Sequence, residues 1–251
     1  MDHDWPSGTL YIVPTPLGNL GDITHRAMEA LQHVDWVACE DTRRTLGLMN
    51  HLGISKPLLS YHAHSSSKRL TQVLEALQGG KRVALVSDAG TPALSDPGTA
   101  LVQAAIQASI PVVSLPGPCA AITALVGSGL PTDRFFFIGF LPRRPARAKR
   151  ALALAVATEG TVVIYESPYR AAETVQRIEE IAGPDTPVVI ARELTKVHEE
   201  FLRGSAREIR ERLEAKPPLG EVVILFKGKT LLFAYPSWVP QATPEGSCCV
   251  T

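Results

Sequence analysis

Cysteine is scarce in this sequence, and that removes several kinds of chemistry at once. Four cysteines occur, Cys39, Cys119, Cys248 and Cys249, and no two stand in C-x-x-C spacing. Neither a zinc site nor a disulfide framework is expected, and a reducing cytoplasm is the expected compartment. Cys248-Cys249-Val250-Thr251 has the outline of a prenylation box, but threonine is unusual in its last place and no basic run precedes it. Charge of one sign is missing too. Twenty-five basic residues balance 25 acidic ones, which excludes a uniformly basic nucleic-acid coat but not a local patch. No apolar run approaches the ~20 residues that span a bilayer, and the opening Met-Asp-His-Asp-Trp-Pro-Ser-Gly is unlike a secretory signal, so no membrane partner is expected. The nucleotide devices are absent as well. Gly18-Asn19-Leu20-Gly21 lacks G-x-G-x-x-G spacing. Gly79-Gly80-Lys81-Arg82 has no Ser or Thr after its lysine and precedes a strand pattern. No Ser-His-Asp set or G-x-S-x-G elbow supports acyl transfer.

What remains is ordinary globular composition with many punctuating residues. Of 251 residues, 45% are hydrophobic and 20% charged, which suits one large or two small domains. Nineteen glycines and 20 prolines gather largely where apolar runs end. Strand and helix patterns alternate from Leu10 onward. Strands are expected at 10–13, 34–39, 58–61, 82–86 and 112–115. Helices are expected at 24–32 with Thr24 as N-cap, and at 42–50, 67–78, 99–108 and 118–126. Gly127 to Pro131 interrupts the pattern as a candidate linker. A second unit follows, with strands at 135–140, 161–165, 188–192 and 221–226 and helices at 147–157, 169–181 and 206–215. The expected fold class is α/β, with domains at 1–130 and 131–228 and a Pro-containing tail at 229–251. Regular alternation argues for a mostly parallel sheet covered on both faces by helices. Ligands then sit beyond the C-terminal strand ends.

Those ends carry the chemistry. Ser87-Asp88-Ala89-Gly90-Thr91-Pro92 follows one strand, and Ser95-Asp96-Pro97-Gly98 reads as the cap of the next helix. Glu40-Asp41-Thr42-Arg43-Arg44 is either a capped helix start or a substrate-facing cluster. Glu193 and Lys196 follow another strand and serve either proton transfer or a surface ion pair. His62 and His64 lie on one side of an extended segment, but a third metal ligand is not identifiable, so no metal is assigned. From Arg134 to Thr158 the chain has basic residues and no acid. Arg143, Arg144, Arg147, Lys149 and Arg150 form either a solvated helix face or a phosphate-contacting patch.

Taken in order, "VPTPLGNLGDIT", "CEDTRRT", "SDAGTPALSDPG", "PGPCAAITAL", "FIGFLPR", "YESPYR", "ARELTKVHEEF" and "GEVVIL" resemble the tetrapyrrole methylase superfamily of S-adenosylmethionine-dependent enzymes. "EDTRRT", "GFLPR" and "ARELTK" point to its small-subunit ribosomal RNA branch. The match runs over about residues 9 to 228. The resemblance implies two α/β/α domains with the cofactor cleft between them, and a homodimer. It implies 2'-O-methylation of a decoding-centre cytidine in 16S rRNA, within the 30S subunit, with no DNA partner. It places Pro16, Gly18, Asp88, Ala89, Gly90, Cys119, Ala120, Tyr165, Glu166 and Gly220 at the cofactor. Arg43, Arg44, Arg143, Arg144, Arg147, Lys149 and Arg150 would face RNA. For catalysis, Glu193 is the expected proton acceptor, with Lys196 orienting ribose or phosphate. The branch usually continues past "GEVVIL" with a further helical segment, where this chain has its Pro-rich tail. Rival readings are a tetrapyrrole-type small-molecule methylase, which needs a broad apolar cleft, and a non-enzymatic ribosome-binding module.

Overall fold

The computed structural model describes residues 4–62 and 67–228; His64 and the tail from 229 lie outside them. The first unit alternates as its pattern predicts: β1 (Leu10–Ile12), α1 (His25–His33), β2 (Trp36–Cys39), α2 (Thr42–His51), β3 (Leu58–Ser60), α3 (Ser67–Gln78), β4 (Val83–Leu85), α4 (Thr99–Gln107) and β5 (Val112–Ser114). The strands pair in the order β3-β2-β4-β1-β5, all parallel. Each crossover contains a helix, as parallel neighbours require. Local chemistry starts two of those helices. The Thr24 hydroxyl accepts the Ala27 amide at 3.1 Å, and the Asp41 carboxylate accepts the Arg43 amide at 2.8 Å. One sheet face buries Ala27, Ala30, Leu31 and Met49 from α1 and α2. The other buries Val73, Leu77, Leu101 and Ala105 from α3 and α4. Each large aliphatic side chain removed from water contributes about 1.5–3 kcal/mol.

α5 (Ala120–Ser128) follows, then β6 (Phe135–Phe140), α6 (Pro145–Val156), β7 (Thr161–Glu166), α7 (Ala171–Ala182), β8 (Pro187–Arg192), β9 (Glu200–Ser205), α8 (Ala206–Ala215) and β10 (Val222–Lys227). Here the expected mostly parallel arrangement does not hold. In the order β6-β7-β10-β8-β9 only the β6–β7 pair is parallel. The loop from Glu193 to Glu199 is too short for a crossover, so β8 and β9 form an antiparallel pair. β9 itself is absent from the sequence expectations. It is an edge strand, Glu-Phe-Leu-Arg-Gly-Ser, with no fully buried residue and so no clean hydrophobic alternation. α6, α7 and α8 cover one face of this sheet.

The other face is covered by α5, whose Ala121, Ala124 and Leu125 pack on Val163, Val189, Ala191 and Val223. The stretch Gly127 to Pro131 is therefore the end of a helix that already lies on the second sheet, with Gly129 closing it at φ 81°. The chain crosses from one sheet to the other before α5, at Pro116-Gly117-Pro118.

Candidate functional site

Four loops at the C-terminal edge of the first sheet are stitched into one floor. Thr15 and Gly90 each donate an amide to the other's carbonyl at 2.9 Å, joining the loops after β1 and β4. The Thr15 hydroxyl adds a bond to the Ser87 carbonyl at 3.1 Å, and Ser87 donates to the Gly90 carbonyl at 3.1 Å. Thr91 donates to the Pro118 carbonyl at 2.8 Å, bringing in the loop after β5. Asp88 accepts the Asp41 amide at 3.1 Å and faces Arg44 at 3.6 Å, bringing in the loop after β2. Small residues permit this density. Gly90 has φ +81°, and a Cβ added there would lie 3.0 Å from Leu17 and 3.6 Å from the Pro118 carbonyl.

The second sheet supplies the opposite wall. Because β10 runs antiparallel to β7 and β8, its start lies beside their ends: Val222 pairs with Glu166 and with Arg192. Tyr165 stands at the end of β7 with its ring edge-on to Phe137, 4.8 Å between centroids, and its hydroxyl accepts the Ala121 amide at 3.0 Å. That bond pins the start of α5, and hence Ala120, against β7. Burial pushes the Tyr165 phenol well above its ordinary range.

Between the walls lies a cleft of about 360 Å³. Leu17, Leu94, Leu194, Val222 and Val223 give it apolar surface. Asp88, Asp96, Glu166 and Glu221 border it with carboxylates, and among the described residues Arg44 is the one cation that lines it. Such a lining suits a ligand with apolar faces and positive charge, and disfavours a phosphate. A second hollow of about 320 Å³ adjoins it, shares Leu17, Arg44 and Asp88, and is lined further by Thr15, Pro16, Gly18 and Thr45.

Of the residues singled out from the sequence, Asp88, Ala89, Gly90, Ala120, Tyr165, Glu166 and Gly220 border the main cleft, while Pro16 and Gly18 border the adjoining hollow. Cys119 is the N-cap of α5, beside the Tyr165 hydroxyl. Glu166 borders the cleft, but both its carboxylate oxygens are occupied. They accept from the Ser167 amide and the Thr174 hydroxyl, each at 2.8 Å. Glu193 and Lys196 meet at 2.9 Å, and the same Glu193 oxygen accepts the Glu221 amide at 2.9 Å. Lys196 and that amide hold the Glu193 carboxyl below its usual range, which weakens it as a base. Burial opposes the Lys196 charge, but the bonds to Glu193 and Glu221 outweigh it and raise its pKa. The pair forms a clasp. Its lysine stem lies over Gly18, and Thr195 accepts the Asn19 amide at 3.2 Å, so the loop after β8 docks on the loop after β1. Gly220 is required there. Its φ is +84°, and a methyl group would enter the Glu193 carboxylate.

Arg43 is paired with Asp41 at 2.8 Å, which holds the Asp41 carboxyl down to about 2. So Asp41 caps α2 while Arg44, not Arg43, reaches the cleft. Arg143, Arg144, Arg147, Lys149 and Arg150 are all exposed, and among the described residues no carboxylate pairs with any of them. Phe140 borders the cleft, so Arg143 and Arg144 stand within about 14 Å of chain from its rim. Among the described residues no three His, Cys, Asp or Glu side chains group as metal ligands.

One cleft residue was read differently from the sequence. Asp96 caps nothing: the N-cap of α4 is Gly98, at φ +139° and without a side-chain bond, and its added Cβ would lie 2.7 Å from Leu85. The Asp96 carboxyl borders the cleft instead. Burial and the neighbouring acids Glu40, Asp88 and Glu221 push it up to about 6, against the Ser87 hydroxyl, which favours its charge. The signal available in the sequence was the second Asp in a loop already rich in strand-end chemistry; a helix start two residues on gave it a simpler reading.

Two α/β units, a floor of small-residue loops and a cleft bordered by four carboxylates define a site suited to a positively charged small ligand. The chain belongs to the tetrapyrrole (corrin/porphyrin) methylases, whose family pattern it matches over residues 9–210. It is 46% identical over 226 residues to ribosomal RNA small subunit methyltransferase I of a Hydrogenobaculum species, covering 89% of this chain and 97% of that protein. The protein of the same name from Thermotoga maritima is 47% identical over 223 residues, covering 88% of this chain and 99% of that one. In fold it is similar to a crystal structure of uroporphyrin-III C-methyltransferase from Thermus thermophilus complexed with S-adenosylhomocysteine, with a TM-score of 0.62 and 18% identity, covering 86% of this chain and 96% of that chain.

Proposed function

We propose that this protein is an S-adenosylmethionine-dependent methyltransferase of small-subunit ribosomal RNA, acting on the ribose 2'-hydroxyl of a decoding-centre cytidine in 16S rRNA. The observation that carries the reading is the charge of the cleft, lined among the described residues by four acids against one arginine. The cofactor brings a sulfonium and an ammonium, and its transferable methyl is the only chemistry it supplies. Asp88 and the backbone of Ala89 to Thr91 hold its polar end. Ala120, Leu194 and Val222 flank its adenine, and Gly220 brings backbone close. Glu193 and Lys196 hold the wall at Gly220 and Glu221 in place. The adjoining hollow beside Arg44 takes the flipped-out nucleotide. The exposed strip Arg143, Arg144, Arg147, Lys149 and Arg150 holds RNA phosphates at the rim. The relatives' shared name supports ribosomal RNA over a tetrapyrrole, and the unpaired arginines support it over a broad apolar substrate. The enzyme works in the cytoplasm as a homodimer. No helix among the described residues is long and apolar enough to cross a membrane. Incubation with methyl-labelled S-adenosylmethionine and either naked 16S rRNA or assembled 30S subunits tests the reading. Label in the ribose of one cytidine is expected, with 30S the better substrate. No label in either refutes it.

A further inference from the structure

One large apolar side chain of the cleft faces water. Phe140 is 58% exposed, whereas the other apolar residues that line the cleft are buried or half-buried. A single exposed ring is ordinary on a protein surface; the backbone that aims this one is not. β6 carries a bulge. Phe137 pairs with Val163, Gly139 with Ile164 and Phe140 with Tyr165, so Ile138 is an extra residue. Gly139 takes the turn at φ +71°. Side chains alternate along a regular strand, where Phe140 would share the face of Ile138, in the core under α6, α7 and α8. The bulge moves it to the face of Phe137 and Tyr165, which opens on the cleft. The strand end is then fixed from two sides. The Phe140 ring meets Tyr165 edge-on, 5.7 Å between centroids. Arg170 donates to the Leu141 and Pro142 carbonyls, each at 3.3 Å, and faces the buried Glu166 carboxylate at 3.6 Å. The loops after β6 and β7 are thereby joined, and Phe140 is held at the cleft while over half of it stays exposed.

We propose that the Phe140 ring stacks on the nucleobase that flanks the target nucleotide in the RNA, holding it after the target has swung out. This rests on the methyltransferase reading above. Flipping leaves the flanking base with a bare face and costs the stacking it had. A preset aromatic ring replaces the lost neighbour, and it does so for any base, since each has a π face. On that reading the target itself enters the hollow beside Arg44, whose lining does not include Phe140. Charge decides the kind of partner. Arg143 follows Phe140 by at most about 11 Å of chain. Arg143, Arg144, Arg147, Lys149 and Arg150 are exposed, with no carboxylate partner among the described residues. A polyanion is drawn to such a strip. A second copy of this chain laid face to face on it would set like charges against each other. Phosphates on the strip thus keep RNA at the ring.

The test is methylation of 30S subunits at varied subunit concentration and saturating S-adenosylmethionine, on wild type, Phe140→Ala, Phe140→Leu and Phe140→Trp. S-adenosylhomocysteine binding is measured in parallel by calorimetry, and oligomeric mass by light scattering. Phe140→Ala is expected to lower kcat/KM roughly 5–150-fold. Phe140→Leu keeps apolar bulk without the ring and should stay at least about threefold below wild type, while Phe140→Trp should return to within about threefold of it or exceed it. Cofactor affinity should stay within about threefold of wild type in all three, and the mass should not change. Leucine as active as wild type shows that apolar cover suffices and overturns the stacking. Tryptophan no better than leucine overturns it too. A cofactor affinity that falls together with kcat/KM places the ring on the cofactor, and a lowered mass places it against a second copy; either overturns the proposal. Should Phe140→Ala fail to fold, leucine and tryptophan carry the same contrast. If wild type labels 30S and Phe140→Ala does so with equal kcat/KM, the stacking alone falls. If wild type labels no RNA, the functional reading falls and takes the stacking with it.

Discussion

Replacing Asp96 by asparagine should change how stability depends on pH, without any cofactor or substrate. The Asp96 carboxyl is raised from 3.8 to about 6 in the folded chain, mainly by burial and then by Glu40. A raised acid binds its proton more tightly when folded than when unfolded. Its favourable contribution is therefore complete below pH 3.8, declines as pH rises toward 6, and is lost above it. At about 1.36 kcal/mol per unit, a shift of roughly two units amounts to about 3 kcal/mol. Asparagine keeps the shape and never ionises. Relative to wild type it should therefore gain up to about 3 kcal/mol between pH 3.5 and pH 8, whatever constant offset the amide brings. Urea titrations of both proteins at half-unit pH steps measure this, with the slope m checked for constancy. A stability difference that stays level within about 0.5 kcal/mol across that range would mean that Asp96 ionises freely in the folded chain. The cleft would then not be the closed, acidic environment inferred here.

Three other substitutions test separate parts of the site. Gly220→Ala forces a methyl group toward Glu193 at φ +84°, and should cost about 1–3 kcal/mol. A melting temperature lowered by less than about 2 °C would count against the clasp. Asp88→Asn removes the charge that meets Arg44 and holds the Asp41 amide. It should weaken S-adenosylmethionine binding about tenfold by calorimetry, or about 1.4 kcal/mol, and unchanged affinity would remove Asp88 from the cofactor. Converting Arg143, Arg144, Arg147, Lys149 and Arg150 together to alanine should lower the slope of log affinity for 30S subunits against log salt by roughly 0.7–0.9 for each phosphate lost. A slope that does not change would return those residues to the status of a solvated helix face.

The first unit was readable almost element by element, because each strand is a short apolar run closed by Gly, Pro or a capping residue. Thr24 and Asp41 mark helix starts that the structure reproduces with side-chain bonds. The second unit was less readable for a physical reason. A buried strand reads as the same apolar run whether its neighbour is parallel or antiparallel, so Val188 to Arg192 and Val222 to Phe226 gave no hint of their opposed directions. β9 lacks even that signal. The cleft was legible as a set of strand ends, since Asp88, Gly90, Tyr165 and Gly220 fall on it. Which carboxylate lacks a cation or backbone amide among the described residues was not. Glu193 looked available because it shares a strand end with Lys196; in the structure Lys196 and the Glu221 amide both bond to one of its oxygens, and the second of these comes from a turn distant in sequence. Asp96 looked occupied because it precedes a helix, and only the left-handed turns at Ala93 and Ser95 direct it away.

The balance of charge in this chain conceals a division of labour. Most charges are mixed in ion pairs such as Arg82 with Asp35, Arg177 with Glu173 and Arg192 with Glu200, but the cleft carries four carboxylates and the strip from Arg143 to Arg150 is basic. On the proposed reading that separation sets how far RNA can enter. A phosphate brought within about 4 Å of a cleft carboxylate would be repelled by roughly 1–4 kcal/mol, depending on how much water remains. The backbone therefore stays at the rim, where Arg143 and Arg144 have no carboxylate partner among the described residues, and only an uncharged nucleoside can pass inward. Arg44 stands at the boundary, shared by the cleft and the hollow beside it and held 3.6 Å from Asp88. The acidity that favours a sulfonium also restricts what can approach it. On that reading the same electrostatics serves cofactor affinity and substrate geometry.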